Sequence, residues 1–313
     1  MEASITINGG AVGFINTGVI ENVGTIIGVV GAPAVARLRP RRTIVVGDLH
    51  GDVEGLRRLL ARIGAINVIT GARTDPERDT IIQIGDLIHG GRNRADSDDT
   101  EMLRRVGAMG WFDHLILGNH DAPHVYPRAK LPRFGGMTDL GTEAVGYLYQ
   151  LREAGKFTIA LAHEGYLLTH AGLHPRYLRG LVEQADWGNP QAIAAGLVDL
   201  FARRIQTTGE APVIDDIGPR RGGYFTEVGG VLWCDWQELV GGDEQPSVPL
   251  IVGHTPYYDG DEQRGVVWGV GRDEARDIWR VDSGSALSGV VCCIVQDAPG
   301  LPFYPVTYSH REG

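Results

Sequence analysis

Five short stretches each set a metal-binding side chain beside a glycine or directly after a strand-like run. They are Gly47-Asp48-Leu49-His50-Gly51, Gly85-Asp86, Gly118-Asn119-His120-Asp121, Thr169-His170-Ala171-Gly172 and Gly253-His254-Thr255. Residues two apart on an extended loop point the same way, so Asp48 and His50 can reach one ion. The Asp86 carboxylate has two oxygens and can bridge two ions. Asn119 offers a neutral amide oxygen, and His170 and His254 offer imidazole nitrogen. Imidazole suits zinc, iron and manganese, and carboxylate and amide oxygens suit manganese and other harder ions. Two ions ~3.5–4 Å apart can hold a nucleophilic oxygen and a substrate phosphate together. A water bridging them becomes hydroxide near neutral pH and attacks phosphorus in line with the leaving group. His120, next to Asn119, is placed to protonate the leaving oxygen as general acid.

Such ligands need rigid elements behind them, and the surrounding pattern supplies these. Thr43–Val46 is a β-branched run that reads as a buried strand, and Val53, Leu56, Leu59, Leu60 and Ile63 have helical spacing. Strands are expected over 80–84, 114–117, 157–162, 166–169, 250–252, 278–281 and 290–295, and helices over 100–109 and 143–154. Residues 175–206 read as helical and 207–231 as a Gly- and Pro-rich loop. Ligands that follow strand ends lie where open α/β sheets bind theirs. The acidic run Asp96, Asp98, Asp99 reads as a cap on the helix after it.

The ordered motifs resemble those of the calcineurin-like metallophosphoesterases. That signature runs Asp-x-His, Gly-Asp, Gly-Asn-His-Asp/Glu, a histidine and Gly-His, and all five elements occur here in order from Gly47 to Thr255. Thr169-His170-Ala171-Gly172-Leu173-His174-Pro175 is similar to the branch of Ser/Thr protein phosphatases and symmetrical diadenosine tetraphosphatases. Leu232-Trp233-Cys234-Asp235 is similar to a Leu-Trp-Ser-Asp run of the protein phosphatases. The resemblance implies an α/β fold, a four-layer αββα sandwich with mixed β-sheets and a dinuclear metal site at the strand ends. It implies two divalent metal ions, manganese first, with iron or zinc as alternatives. One ion would use Asp48, His50 and Asp86, and the other Asp86, Asn119, His170 and His254. The substrate would be a phosphoprotein or a nucleotide, and the alternatives are a bis(5'-nucleosyl)-tetraphosphatase-like hydrolase or a non-catalytic metal-binding scaffold.

This sequence departs from that branch at one element. The branch reads Gly-Asp-x-x-Asp-Arg-Gly, with the second Asp orienting the catalytic histidine and the Arg gripping phosphate. Here the run is Gly85-Asp86-Leu87-Ile88-His89-Gly90-Gly91. His89 stands for the acid and Gly90 for the arginine. Candidate phosphate contacts are therefore His89, Arg92, Arg94, Arg220 and Arg221, since a guanidinium grips phosphate through two parallel hydrogen bonds.

Composition bounds the rest. The chain has 313 residues, 43% hydrophobic and 22% charged, with a formal net charge of -10. That balance argues for a globular core and against general nucleic-acid binding, which needs a basic surface. Three cysteines, two of them adjacent, make no disulfide framework and point to a reducing, cytoplasmic setting. The apolar run 24–36 has no basic stretch before it and is shorter than the ~20 residues of a membrane span. Residues 1–40 repeat an Asn-x-Gly-x-Ile pattern, expected as short strands and turns too small to bury their own core. They are a candidate element for homo-oligomer association. Residues 41–313 are expected as the metallophosphoesterase domain, with 175–240 as a candidate substrate-facing cap.

Overall fold

The computed structural model describes residues 2–7, 11–16, 41–89, 98–135, 137, 139–207, 209–242, 244–259 and 267–310. The chain divides into two units, Met1–Arg39 and Pro40–Gly313. In the first, β1 (Glu2–Ile7) pairs antiparallel with β2 (Ala11–Asn16), with Glu2 opposite Asn16 and Ile7 opposite Ala11.

The second unit runs β3 (Arg42–Val46), α1 (Val53–Arg62), β4 (Asp79–Gln83), α2 (Asp99–Met109), β5 (His114–Ile116), α3 (Ala122–Val125), α4 (Thr142–Glu153), β6 (Phe157–Thr158), β7 (Ala160–His163) and β8 (Tyr166–Thr169). It continues with α5 (Pro190–Arg204), α6 (Pro212–Asp215), α7 (Trp236–Val240), β9 (Leu250–Val252), β10 (Tyr257–Asp259), β11 (Val267–Gly269), β12 (Gly271–Asp273), β13 (Ile278–Arg280), α8 (Ser285–Ser288), β14 (Val290–Gln296) and β15 (Tyr304–Ser309).

Two mixed sheets stack on each other. One has the order β15-β14-β3-β4-β5-β6, and the other β12-β13-β9-β8-β7. In the first, β3 to β6 are parallel and β14 and β15 antiparallel. In the second, β8, β9 and β13 are parallel and flanked by antiparallel β7 and β12. The period-two alternation of strand side chains explains why both faces are apolar. Val45, Ile82, Ile116 and Ile294 point one way and meet Leu168, Ile251 and Trp279 of the other sheet. Ile44, Val46, Ile81 and Leu115 point the other way, into a cluster with Leu56, Leu59 and Leu60 of α1 and Met102 and Leu103 of α2. Burying each such side chain stabilises the fold by about 1.5–3 kcal/mol. Helix α1 packs on β14 and β15, α2 on α4, and α5 on β7 and β8. The layers are helix, sheet, sheet, helix.

Three expectations need correction. The strand expected over 157–162 is two strands in different sheets, because the chain crosses from one sheet to the other at buried Ile159. The stretch 175–206 is not one helical region. It holds two single 3-10 turns, Pro175–Tyr177 and Gln184–Asp186, before α5 starts at Pro190 under an Asn189 cap. The loop 207–231 contains α6 and a 3-10 turn over Pro219–Arg221, each opened by proline at a position where its missing N–H costs nothing. Among the described residues, no helix is long and apolar enough to cross a membrane.

Candidate metal centre

The parallel strands deliver every candidate to one edge. Asp48 and His50 come after β3, Asp86 after β4, and Asn119 and His120 after β5. His170 comes after β8 and His254 after β9. Main-chain bonds then clamp these loops together. The Asp86 carbonyl accepts from Leu49 N at 3.0 Å and His50 N at 2.9 Å, and the His170 carbonyl accepts from Gly253 N at 2.7 Å.

Three candidates sit in the left-handed backbone region, His50 at φ 47°, Asp86 at φ 54° and His254 at φ 65°. Non-glycine residues there are strained, and such strain collects at functional sites. The glycines before Asn119 and His254 do not serve as turn glycines. Gly118 and Gly253 do not have positive φ. A Cβ at 118 would overlap the Asp86 carboxylate, and one at 253 would overlap that of Asp48. Glycine is required there because ligand side chains lie across the backbone.

Among the described residues the geometry forms three groups of potential ligands, one of them His50, His89 and His120, and the other two share Asp86. Asp48, His50 and Asp86 bring one potential ligand atom each within 4.8 Å of one another, and so do Asp86, His170 and His254. Asn119 joins the second group, with its Oδ1 3.0 Å from His170 Nε2. Asp86 Oδ2 lies 3.7 Å from His50 Nε2, and Oδ1 lies 3.5 Å from His170 Nε2.

Several features fit cations at these positions. Asp48 Oδ1 and His254 Nε2 are buried polar atoms with no hydrogen-bond partner. Orphans of this kind are costly without a ligand. His170 Nδ1 lies 3.1 Å from the Ile84 carbonyl, which can only accept, so Nδ1 carries the proton. Nε2 therefore presents a lone pair toward Asn119 Oδ1 and Asp86 Oδ1, an arrangement of acceptors that a cation resolves. Burial pushes the His170 imidazole down to about 3 and that of His254 well below the usual histidine range. Both are neutral, the form that ligates metal. Burial also drives the Asp48 and Asp86 carboxyls well above the usual carboxylate range. Both acids are buried close together, and a bound cation supplies the counter-charge that such crowding calls for.

His120 sits over this centre. Its backbone N donates to Asp86 Oδ1 at 2.9 Å, and its Nε2 is 3.8 Å from Asp86 Oδ2. Its ring stacks on Phe134, with centroids 4.1 Å apart and planes 26° apart. Of the phosphate candidates, Arg221 reaches the site. Its Nη2 donates to the His254 carbonyl at 3.1 Å and to Thr255 Oγ1 at 2.6 Å, and its Nε lies 3.1 Å from Asp235 Oδ2. Arg220 is exposed instead, and its backbone N donates to Glu238 Oε1 at 2.9 Å. His89 lies against His50 and His120. Arg92 and Arg94 lie outside the described residues.

Two further acids belong to the centre; sequence reasoning missed Asp282 and gave Asp121, quoted in the third motif, no role. Asp282 comes after β13, is buried, and raises the carboxyls of both Asp48 and Asp86 by its charge. Burial lifts Asp282 itself to about 6. The signal used for the other candidates, an acid after a strand with glycine close by, would have found it. Asp121 accepts from Leu87 N at 3.3 Å, Ile88 N at 3.2 Å and Gly118 N at 3.0 Å. It fastens the Asp86 loop to the Asn119 loop. The acidic run before α2 also divides its roles. Asp98 caps the helix through Glu101 N, whereas Asp99 accepts from His89 N at 2.8 Å.

The family model for calcineurin-like phosphoesterases matches residues 41–289, well over half of the chain. The chain belongs to that family. The symmetrical bis(5'-nucleosyl)-tetraphosphatase of Photorhabdus laumondii is 37% identical over 79 residues, 25% of this chain and 24% of that protein. The symmetrical bis(5'-nucleosyl)-tetraphosphatase of Edwardsiella ictaluri is 38% identical over 79 residues, 25% of this chain and 23% of that protein. The matched stretch thus spans about a quarter of these curated relatives. The cold-active protein-tyrosine phosphatase of a psychrophilic Shewanella is similar in structure, with a TM-score of 0.51. The likeness covers 85% of this chain and 80% of that one at 14% identity, a likeness of fold. This calcineurin-like phosphoesterase carries, at its sheet ends, His and Asp groups able to hold metal.

Proposed function

We propose that this calcineurin-like phosphoesterase hydrolyses phosphate esters with two divalent cations, manganese first. The sharing of Asp86 between the two ligand groups carries the reading, because one carboxylate serving two groups, each with its ligand atoms within 4.8 Å of one another, calls for two neighbouring ions. Asp48, His50 and Asp86 would hold one, and Asp86, Asn119, His170 and His254 the other. When bound, the ions would supply Lewis-acid neutralisation of phosphate charge and a nucleophilic water at neutral pH.

The remaining work falls to this chain's own side chains. His120 turns Nε2 toward the centre and delivers a proton to the departing oxygen. Phe134 stacks on that ring and steadies it. Arg221, anchored on His254 O and Thr255, offers its guanidinium to the phosphate from the 175–240 stretch, which we take as the substrate-facing cap. The test is hydrolysis of p-nitrophenyl phosphate by the manganese-loaded protein. Turnover that survives His254→Ala unchanged would rule this centre out.

The second reading is a nucleotide substrate. The local match to symmetrical bis(5'-nucleosyl)-tetraphosphatases favours it. Comparing diadenosine tetraphosphate with a phosphoserine peptide under the same metal conditions separates the two. For residues 1–40 we infer an association role. The paired strands β1 and β2 support it, since a lone hairpin is at best marginally stable in water. Deleting residues 1–36 and finding the same mass by light scattering would remove it.

A further inference from the structure

We propose that His89 is a two-sided positioning residue. Its ring backs the candidate ligand His50, and its main-chain carbonyl, set by Asp99, aims His120. The His120 arm rests on the phosphoesterase reading, and the His50 arm rests on metal binding alone.

The observations are local and independent. His120 Nδ1 lies 3.0 Å from the His89 carbonyl oxygen. A carbonyl only accepts, so Nδ1 of His120 carries a proton and donates it. This fixes the ring so that Nε2 faces Asp86, 3.8 Å from its Oδ2. A main-chain atom therefore does what a carboxylate partner would otherwise do for a catalytic histidine. The carbonyl can serve only if its residue is held in place. The hold is visible on the same residue, where His89 N donates to Asp99 Oδ1 at 2.8 Å. Asp99 is buried at the start of α2, so the anchor is built on a helix and not on the loop itself.

The ring side uses a different atom. His50 turns Nε2 toward Asp86, and its Nδ1 lies 3.4 Å from His89 Nδ1. A histidine that ligates through one nitrogen keeps its proton on the other and donates it to an outer partner, which fixes the tautomer. His89 Nδ1 is that partner, accepting a long hydrogen bond from His50 Nδ1. The three rings pack closely, with His50 and His120 centroids 4.7 Å apart and His50 and His89 5.3 Å apart.

The two arms separate by mutation. His89→Ala keeps the carbonyl and removes the ring, so manganese affinity measured by calorimetry should fall by about 10–100-fold, the usual loss for an outer partner of a metal ligand. His89→Asn places an amide oxygen near the former Nδ1 and should recover most of that affinity. Asp99→Ala keeps the ring and frees the peptide. It should lower kcat at saturating manganese by about 100-fold, the cost of a misplaced catalytic group, with Asp99→Asn restoring it. The drop in kcat should be far smaller in His89→Ala than in Asp99→Ala, and the drop in metal affinity far larger. Nitrogen-15 imidazole spectra of the metal-loaded protein should show Nδ1 of His120 protonated, a result that needs no turnover. Unchanged manganese affinity in His89→Ala overturns the ring arm. Equal losses of affinity and kcat in both alanine variants, or a bare Nδ1 on His120, overturn the carbonyl arm. A protein that hydrolyses no ester yet shows the affinity loss and the protonated Nδ1 retains the proposal and removes the phosphoesterase reading.

Discussion

Neutralising the shared carboxylate should change stability with opposite sign in the two metal states. Asp86→Asn keeps an oxygen for the His120 N–H at 2.9 Å and nearly the same volume. In the metal-free protein, burial already disfavours the charged form of Asp86 and lifts its carboxyl well above the usual range. A neutral amide avoids that cost, so in chelator the variant should melt at or above the wild-type temperature. With manganese the order reverses. Asp86 belongs to both ligand groups, so its loss weakens both ions. An ion present at a hundred times its dissociation constant stabilises the fold by about 2.7 kcal/mol, so two contribute about 5 kcal/mol. For a chain of this size, at about 2 °C per kcal/mol, that is a rise of about 10 °C in wild-type Tm that the variant should largely lack. The assay is calorimetry or near-UV melting of both proteins, each with chelator and with excess manganese. A variant that loses the same Tm in both conditions would refute the reasoning, because Asp86 would then be a structural acceptor. So would a variant with the full metal-induced rise.

The same geometry sets three further outcomes. Gly118→Ala sets a Cβ against the Asp86 carboxylate, so the loop must shift, and a stability loss of about 1–3 kcal/mol is expected by analogy with overpacking, with weakened metal binding read by calorimetry. His120→Asn should lower kcat by about 100- to 10,000-fold, the span of general acid catalysis, with the metal stoichiometry measured by elemental analysis unchanged from wild type. Arg221→Ala removes a charged donor held at His254 O and Thr255, and kcat/KM for p-nitrophenyl phosphate should fall by about 10–100-fold, equivalent to a charge-assisted hydrogen bond of about 1.5–3 kcal/mol.

Much of the frame is readable from the residues, and the reason is physical. A buried parallel strand must be apolar on both faces, so Thr43–Val46, Thr80–Ile84 and Leu250–Val252 announce themselves as strands. A polar residue straight after such a run stands out against it. That contrast is why residue type alone groups Asp48, Asp86, His170 and His254, and the structure brings them to one centre. The outer elements are less readable. Residues 157–162 read as one strand because a sheet change at Ile159 leaves no mark in hydrophobicity. Single 3-10 turns over Pro175–Tyr177 and Pro219–Arg221 are too short to show a period. Asp99 reads as a second cap because any acid before a helix does, and its bond to His89 N distinguishes it.

Several features hidden from the sequence share one property: the working atom is on the main chain. The Asp86 carbonyl holds Leu49 and His50, the Ile84 carbonyl fixes the His170 tautomer, and the His170 carbonyl holds Gly253 ahead of His254. The His89 carbonyl receives His120. Every residue has a carbonyl, so residue type carries no signal for these roles. The requirement falls on backbone direction instead, and the left-handed φ at Asp86 and His254, whose carbonyls accept from Leu49, His50 and Arg221, records it in part. At Asp86 the local strain is offset by the two hydrogen bonds its carbonyl collects. This also accounts for the sequence at position 89. Once a main-chain oxygen aims His120, the side chain there is released from that duty, and a histidine can serve the neighbouring ligand. The same logic bears on the proposed phosphate grip. With glycine at 90, the described guanidinium that reaches the centre is Arg221, delivered by a 3-10 turn and anchored on His254 O, again a carbonyl.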